Sequence, residues 1–327
     1  MAALTLGAVE YVGRSKALKR FIATDSFFRY LTRAAAILVL GVLLGVFVSL
    51  AIGAWPAFHA FGLDFLTSQS WNPVTEKFGA LAPIYGTIVT SLIAMLIAVP
   101  VGVGIAIFLT ELCPYLLRRP IAIAIELLAG IPSIIYGIWG LFVLAPFLQQ
   151  HVQPGLIEFF SGVPGFNQFF AGPPYGIGIF TAGLILAIMV IPFISSIARD
   201  VFETTPAVLK ESAYAVGCTT WEVIWSVVLP YTRAGVLGGV MLGLGRALGE
   251  TMAVTFVIGN AHKIAASILA PGTTISATIA NEFTEAVGDL YTSSLIALGF
   301  ILFVITFIVL AIARYMLSRL DRRAGVA

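Results

Sequence analysis

Six long apolar stretches, at approximately 32–54, 82–110, 120–147, 176–198, 233–258 and 291–315, constrain this chain more than any other feature. About twenty helical residues span a hydrocarbon core of roughly 30 Å. No water in that core satisfies a stray amide, so each run must bond its own backbone as a helix. Composition agrees: 59% of the 327 residues are hydrophobic and only 10% are charged, against about a quarter in a soluble domain. The sequence predicts an all-α integral membrane protein with six transmembrane helices. A long basic segment precedes the first run and no small-residue cleavage site follows, so that run reads as a retained helix, not a removable signal.

Orientation follows from the basic residues. Fifteen of the eighteen lysines and arginines lie in four segments. Arg14, Lys16, Lys19, Arg20, Arg29 and Arg33 precede or open the first run, and Arg118 and Arg119 follow the second. Arg199, Lys210 and Arg233 follow the fourth, and Arg314, Arg319, Arg322 and Arg323 close the chain. By the positive-inside rule both termini are expected in the cytoplasm. The expected organisation is a cytoplasmic segment 1–31, a membrane domain 32–315 with a cytoplasmic loop 199–232, and a cytoplasmic tail 316–327. The opposite loops carry Asp64, Glu76, Glu158, Glu282, Glu285 and Asp289 against Lys77 and Lys263. That face is net negative and does not steer a free anion inward.

Catalytic chemistry finds little support. His59, His151 and His262 have no partner pattern, and Cys113 and Cys218 lack metal-ligand spacing and fall on the reducing side. The dipeptide Gly-Lys never occurs, so no phosphate-binding loop for ATP is present. No nucleophile–base constellation is evident, and no nucleic-acid partner is expected.

Residues 211–230, "ESAYAVGCTTWEVIWSVVLP", read as a short helix, a break at Gly217, a second helix capped by Thr219 or Thr220, and a stop at Pro230. Glu222 in the first turn of the second helix suits its dipole. By itself this is an interfacial helix joining two spans, or a rigid knob offered to a soluble partner.

The fifth run, "AGVLGGVMLGLGRALGETMAVTFVIG", carries charge where water should be absent. Arg246 and Glu250 are one helical turn apart, so they share a face and can pair. A bare charge near the bilayer centre costs at least ~3 kcal/mol. Two readings stand: a salt bridge fixing helix rotation, or a pathway in which the guanidinium fork takes an oxyanion. Gly235, Gly239 and Gly243 form one flat stripe, and Gly245 and Gly249 a second, so close packing on protein is expected. Glu126, near the cytoplasmic end of the third run, either snorkels or bonds a neighbouring loop, or together with Ser133 is a candidate supporting group for the charged stretch. Pro132 and Pro192 are expected to kink their helices, with Ser133, Ser195 or Ser196 satisfying freed backbone groups. In the last loop, "GTTISATIANEFTEA" is expected to form a short surface helix.

The 211–230 stretch resembles the loop signature of permease subunits of ATP-binding cassette importers. Glu211, Ala213, Gly217, Leu229 and Pro230 match with every gap kept, while Ser212 stands for Ala and Val227 for Ile. "ELLAGIPSIIYGIWG", "LGLGRALGETMAVTFVIGN" and "WNPVTEKFGALAPIYGTI" resemble the PstC-type permeases of phosphate-specific importers, from about residue 25 to the C-terminal end. The resemblance implies a type I importer permease fold in the bacterial cytoplasmic (inner) membrane. It implies a heterodimer with a homologous permease, two ATPase subunits that bind the ATP and magnesium, and an extracytoplasmic phosphate-binding protein. It also implies that Arg246 and Glu250 serve phosphate passage and that residues 211–217 couple to the ATPase. Sulfate or molybdate importers would share the coupling loop. A secondary carrier is the more distant alternative, since that loop has no role without an ATPase.

Overall fold

The computed structural model describes residues 2–323, with side chains described over 24–316 and at 318 and 319. The basic side chains Arg14, Lys16, Lys19, Arg20, Arg322 and Arg323, and the tail beyond 323, lie outside the described residues. The chain divides into two compact units, Met1–Ile52 and Gly53–Ala327. The first is part of one helix, α1 (Ala2–Phe61), which carries the first apolar run.

In the second unit the end of α1 is followed by α2 (Asp64–Thr67) and α3 (Leu81–Ile107), which finishes in a π-helical turn, Phe108–Leu112. Ala54, Ala57, Phe65, Phe78 and Ala80 form one apolar cluster with Ile275, Tyr291, Leu295 and Leu298.

The third run differs from the single kinked helix expected at 120–147. Helix α4 (Tyr115–Ala129) stops before Pro132, which is extended at φ −56°, ψ 137°, and a new helix begins at Ser133. Proline supplies no N–H and keeps its predecessor out of the helical region, so the chain breaks here instead of bending. From Ser133 the helix runs through α5 (Ser133–Trp139), α6 (Ala145–Phe147) and α7 (Gln153–Ser161), joined by π turns at 140–144 and 148–152. It thus occupies residues expected to be loop.

Helix α8 (Ile179–Glu203) is the packing centre. It meets α3 where side chains are smallest: a Cβ on Gly183 would come within 2.6 Å of Ile93. Ala94, Ala98, Ile185, Leu186, Val190 and Ile194 fill the seam. Pro192 lies inside α8, and buried Ser195 donates to the carbonyl of Pro192 itself, 3.0 Å away. Glu126 bonds Arg199 near the end of α8, while Gly176, just before its start, lies against Ala145 and Gln149. Residues 126–149 therefore run the length of α8, and the break at 130–132 falls between its ends.

Then come α9 (Ala207–Ala215), α10 (Thr220–Val223), a π turn at 224–228 and α11 (Leu229–Gly249). Pro230 does not stop a helix. It sits in the first turn of α11, immediately after the π turn, whose longer bonding loop ends on the Leu229 N–H. The missing donor of Pro230 is thereby accommodated and the fifth span starts at Thr220. After α11 come α12 (Met252–Val257), α13 (Ile275–Glu282) and α14 (Asp289–Arg323). Thr274 caps α13, accepting from the Ala277 N–H at 3.2 Å, but Ile275, Ser276, Ala277 and Thr278 are buried, so this is no surface helix. Its packing is close: a Cβ on Gly86 would overlap the Thr273 carbonyl at 1.8 Å. Among the described residues six helices are long and apolar enough to cross a membrane, at 24–61, 81–112, 133–161, 179–203, 220–249 and 289–316.

Candidate functional site

The first glycine stripe determines where the charged stretch lies. Cβ atoms on Gly235, Gly239 and Gly243 would meet Val201 at 2.5 Å, Ile197 at 2.7 Å and Ile194 at 3.0 Å. Helix α11 therefore descends along α8 in antiparallel contact. One turn further, the Arg246 Cζ stands 6.0 Å from the Phe193 ring centroid, level with the middle of α8. The second stripe behaves differently. Gly245 makes only ordinary contact with Leu310, and no atom lies within 4 Å of a Cβ on Gly249.

Arg246 and Glu250 do not pair. Helix α11 ends at Gly249, and Glu250 is extended at φ −70°, ψ 128°, so the two no longer share a helical face. Among the described residues neither forms an ion pair. Arg246 is exposed in the isolated chain, and the half-buried Glu250 accepts through Oε1 from the Ala253 N–H, 3.4 Å away, at the start of α12. The salt-bridge expectation is thus replaced by an interrupted helix with a guanidinium on one side of the gap and a carboxylate in it. Unwound backbone at membrane depth is tolerated only against protein or a water-lined cavity.

The two chain breaks approach each other. A Cβ on Gly137 of α5 would lie 3.1 Å from the Ala253 Cα and 3.2 Å from the Met252 carbonyl. Beside it, Tyr136 lies within electrostatic reach of Arg246 and donates its hydroxyl to the Leu128 carbonyl at 2.9 Å, across the 130–132 break. Sequence reasoning missed Tyr136 and Phe193, because aromatic residues in apolar runs carry no signal of their own. Ser133 merely begins α5. Glu126 turns instead to Arg199, 2.8 Å away, and takes no part in the group around Arg246.

The loop motif folds much as its residues predict. Gly217 has φ +93°, a conformation open to glycine and strained for other residues, and ends the turn after α9. Thr219 caps α10 reciprocally: Glu222 donates its N–H to the Thr219 hydroxyl, and its carboxylate accepts from the Thr219 N–H at 2.7 Å. Glu211 and Ser212 are exposed, Ser212 returning its hydroxyl to the Val208 carbonyl at 2.7 Å. Ala213 and Leu229 face inward, onto the buried cluster of Ala106, Ala198, Phe202, Val223 and Val228.

A second polar group lies among the loops opposite the motif. The Glu282 carboxylate accepts from the Tyr291 hydroxyl at 2.7 Å and from the Trp71 indole N–H, and lies 2.8 Å from His262 Nε2. Trp71 and His262 stack with centroids 5.2 Å apart. His262, expected to lack a partner, therefore has two.

The family of binding-protein-dependent transport system inner membrane components matches residues 100–322. The phosphate transport system permease protein PstC of Mesorhizobium japonicum is 72% identical over 312 residues, covering 95% of this chain and 95% of its own length. That of Pasteurella multocida is 58% identical, covering 92% of this chain and 94% of its own. PstC 1 of Mycobacterium tuberculosis is 39% identical, covering 90% and 94%. A solved bacterial ABC transporter involved in import of the acidic polysaccharide alginate shares the fold, with a TM-score of 0.57 at 17% identity over 82% of this chain and 88% of that one. Six membrane-crossing helices, the interrupted fifth span and these relatives lead to one conclusion: the chain belongs to the binding-protein-dependent transport system inner membrane components and, within them, to the PstC permeases.

Proposed function

We propose that this chain forms half of the translocation pathway of an ATP-driven importer of inorganic phosphate, with Arg246 as the anion's contact at mid-depth. One observation carries the reading: a guanidinium with no ion pair among the described residues stands level with the middle of α8, beside an interruption of its own helix. A charge kept there against a cost of ~3 kcal/mol needs a partner that arrives from elsewhere. Its fork of donors suits a tetrahedral oxyanion. Glu250, seated at the start of α12 on the Ala253 N–H, stays off Arg246 and leaves its donors open to an anion.

Chemistry is supplied by other chains. ATP and magnesium bind a partner ATPase, two copies of which dock on α9 and on its counterpart in a homologous permease. This chain is a non-catalytic subunit. The extracytoplasmic binding protein delivers phosphate by docking, so the net negative outer loops are no obstacle. Both termini lie in the cytoplasm, on the side of α9.

The relatives named for phosphate transport favour phosphate over sulfate or molybdate. The test is uptake of labelled phosphate by vesicles containing the full assembly and ATP. Excess unlabelled phosphate should abolish the signal, whereas equal sulfate or molybdate should leave it. Competition by sulfate equal to that by phosphate would reassign the substrate. Uptake persisting without the ATPase would instead make the chain a secondary carrier.

A further inference from the structure

The Glu111 side chain is only 7% exposed, in the π turn that finishes α3. A carboxylate buried this far holds its charge only beside an opposite one. That partner is Lys210, whose Nζ lies 2.5 Å from Glu111 Oε1 and whose side chain is 20% exposed. Lys210 belongs to α9 and immediately precedes Glu211 of the loop motif.

Helix α9 stands off the body of the protein, with no fully buried residue. Only Lys210 and Ala213 of its residues are half-buried, and a spacing of three puts them on one face. Ala213 touches the body through a methyl group, which keeps distance but allows sliding. Lys210 touches it through a charge pair, which also fixes direction. The receiving element is itself a place where a helix can yield, because a π turn interrupts the regular bonding ladder. The same turn is tied to α4, since Arg118 donates through Nη2 to the Thr110 carbonyl. Helix α4 in turn carries Glu126 to Arg199 of α8. A displacement of α9 therefore has a continuous polar route into α3, α4 and α8, and Lys210 is its first step.

We propose that Lys210 is a positioning residue for transport: through Glu111 it passes the movement of α9 to the membrane spans. This rests on the reading of α9 as the ATPase-docking helix. The test uses the whole assembly, purified with ATPase and partner permease and reconstituted with the binding protein. Lys210→Met and Glu111→Gln should each lower phosphate moved per ATP hydrolysed by ~10-fold, a size usual for coupling between two sites. The ATPase should still copurify in the wild-type ratio. The exchanged pair, Lys210→Glu with Glu111→Lys, should transport better than either single variant, and Lys210→Arg should stay coupled. Wild-type ratios in both single variants, or an exchanged pair no better than the singles, overturn the proposal. Should either single variant fail to assemble, the exchanged pair and Lys210→Arg decide: coupled transport supports the proposal and its loss overturns it. If crosslinks from α9 of the unaltered chain never reach an ATPase subunit, the docking reading itself falls and the proposal with it, a result seen before any variant is made.

Discussion

Glu282 illustrates how much one side chain can hold together. Burial alone would raise its carboxyl, but the bonds from His262, Tyr291 and Trp71 outweigh that effect and keep it below the ordinary glutamate value of 4.5. A lowered folded value means that the carboxylate's contribution to stability is fully present above the ordinary value and is lost as pH falls through the folded one. The difference in thermal midpoint between the unaltered chain and Glu282→Gln should therefore be constant at neutral pH and shrink below about pH 4. A difference that grows on acidification would contradict this bonding. None of the cluster was legible in the sequence, because its members come from four separate segments and an isolated histidine announces no partner. Arg246 and Glu250 were legible as residues, being charges in an apolar run. Their relation was not: four-residue spacing means a shared face only while the helix continues, and this helix stops at Gly249.

At the scale of elements, the glycine stripes separate two kinds of surface. A valine at Gly239 would drive into Ile197, so Gly239→Val should destabilise the purified chain by ~1–3 kcal/mol, the usual cost of overpacking. Gly249→Ala meets no atom within 4 Å and should be neutral or stabilising by up to ~1 kcal/mol. Thermal unfolding in detergent distinguishes them, and equal losses would contradict the packing of α11 on α8. Gly217 is a matter of conformation, not space: nothing crowds it, yet its φ is +93°. Gly217→Val should thus cost ~1–3 kcal/mol of local strain and weaken copurification of the ATPase while the spans stay folded. An ATPase yield unchanged from wild type would contradict that expectation. A cap at Thr219 or Thr220 and the first glycine stripe were readable in advance, because local bonding and close approach leave marks at fixed spacing, whereas the reciprocal bond from Glu222 appears only in the structure. The break at 130–132, the passage through Pro230 and the burial of α13 were not. Each depends on how the chain packs or on a π turn, and apolar periodicity looks the same across such irregularities.

For the whole molecule, the proposed orientation puts α9 on one side of the membrane and the α13–α14 connection on the other. Val216 and Val287 are both exposed, at 83% and 87%. In a cysteine-free background, a membrane-impermeant thiol reagent should reach Val287→Cys from outside the cell and Val216→Cys only in inverted vesicles. The reverse pattern would invert the orientation, and labelling of both from one side would refute the span count. Six spans were evident from apolar length alone, whereas the two interruptions that meet near Arg246 appear only once the helices are packed. The proposed role of Arg246 is to stay bare for a passing anion. Its most direct measurement is ATP-driven phosphate uptake by vesicles holding the intact assembly with Arg246→Gln. Loss of a charged contact worth ~3 kcal/mol predicts uptake reduced by about 100-fold, with ATPase and permease partners still copurifying. Uptake at the wild-type rate in that assembly would contradict it.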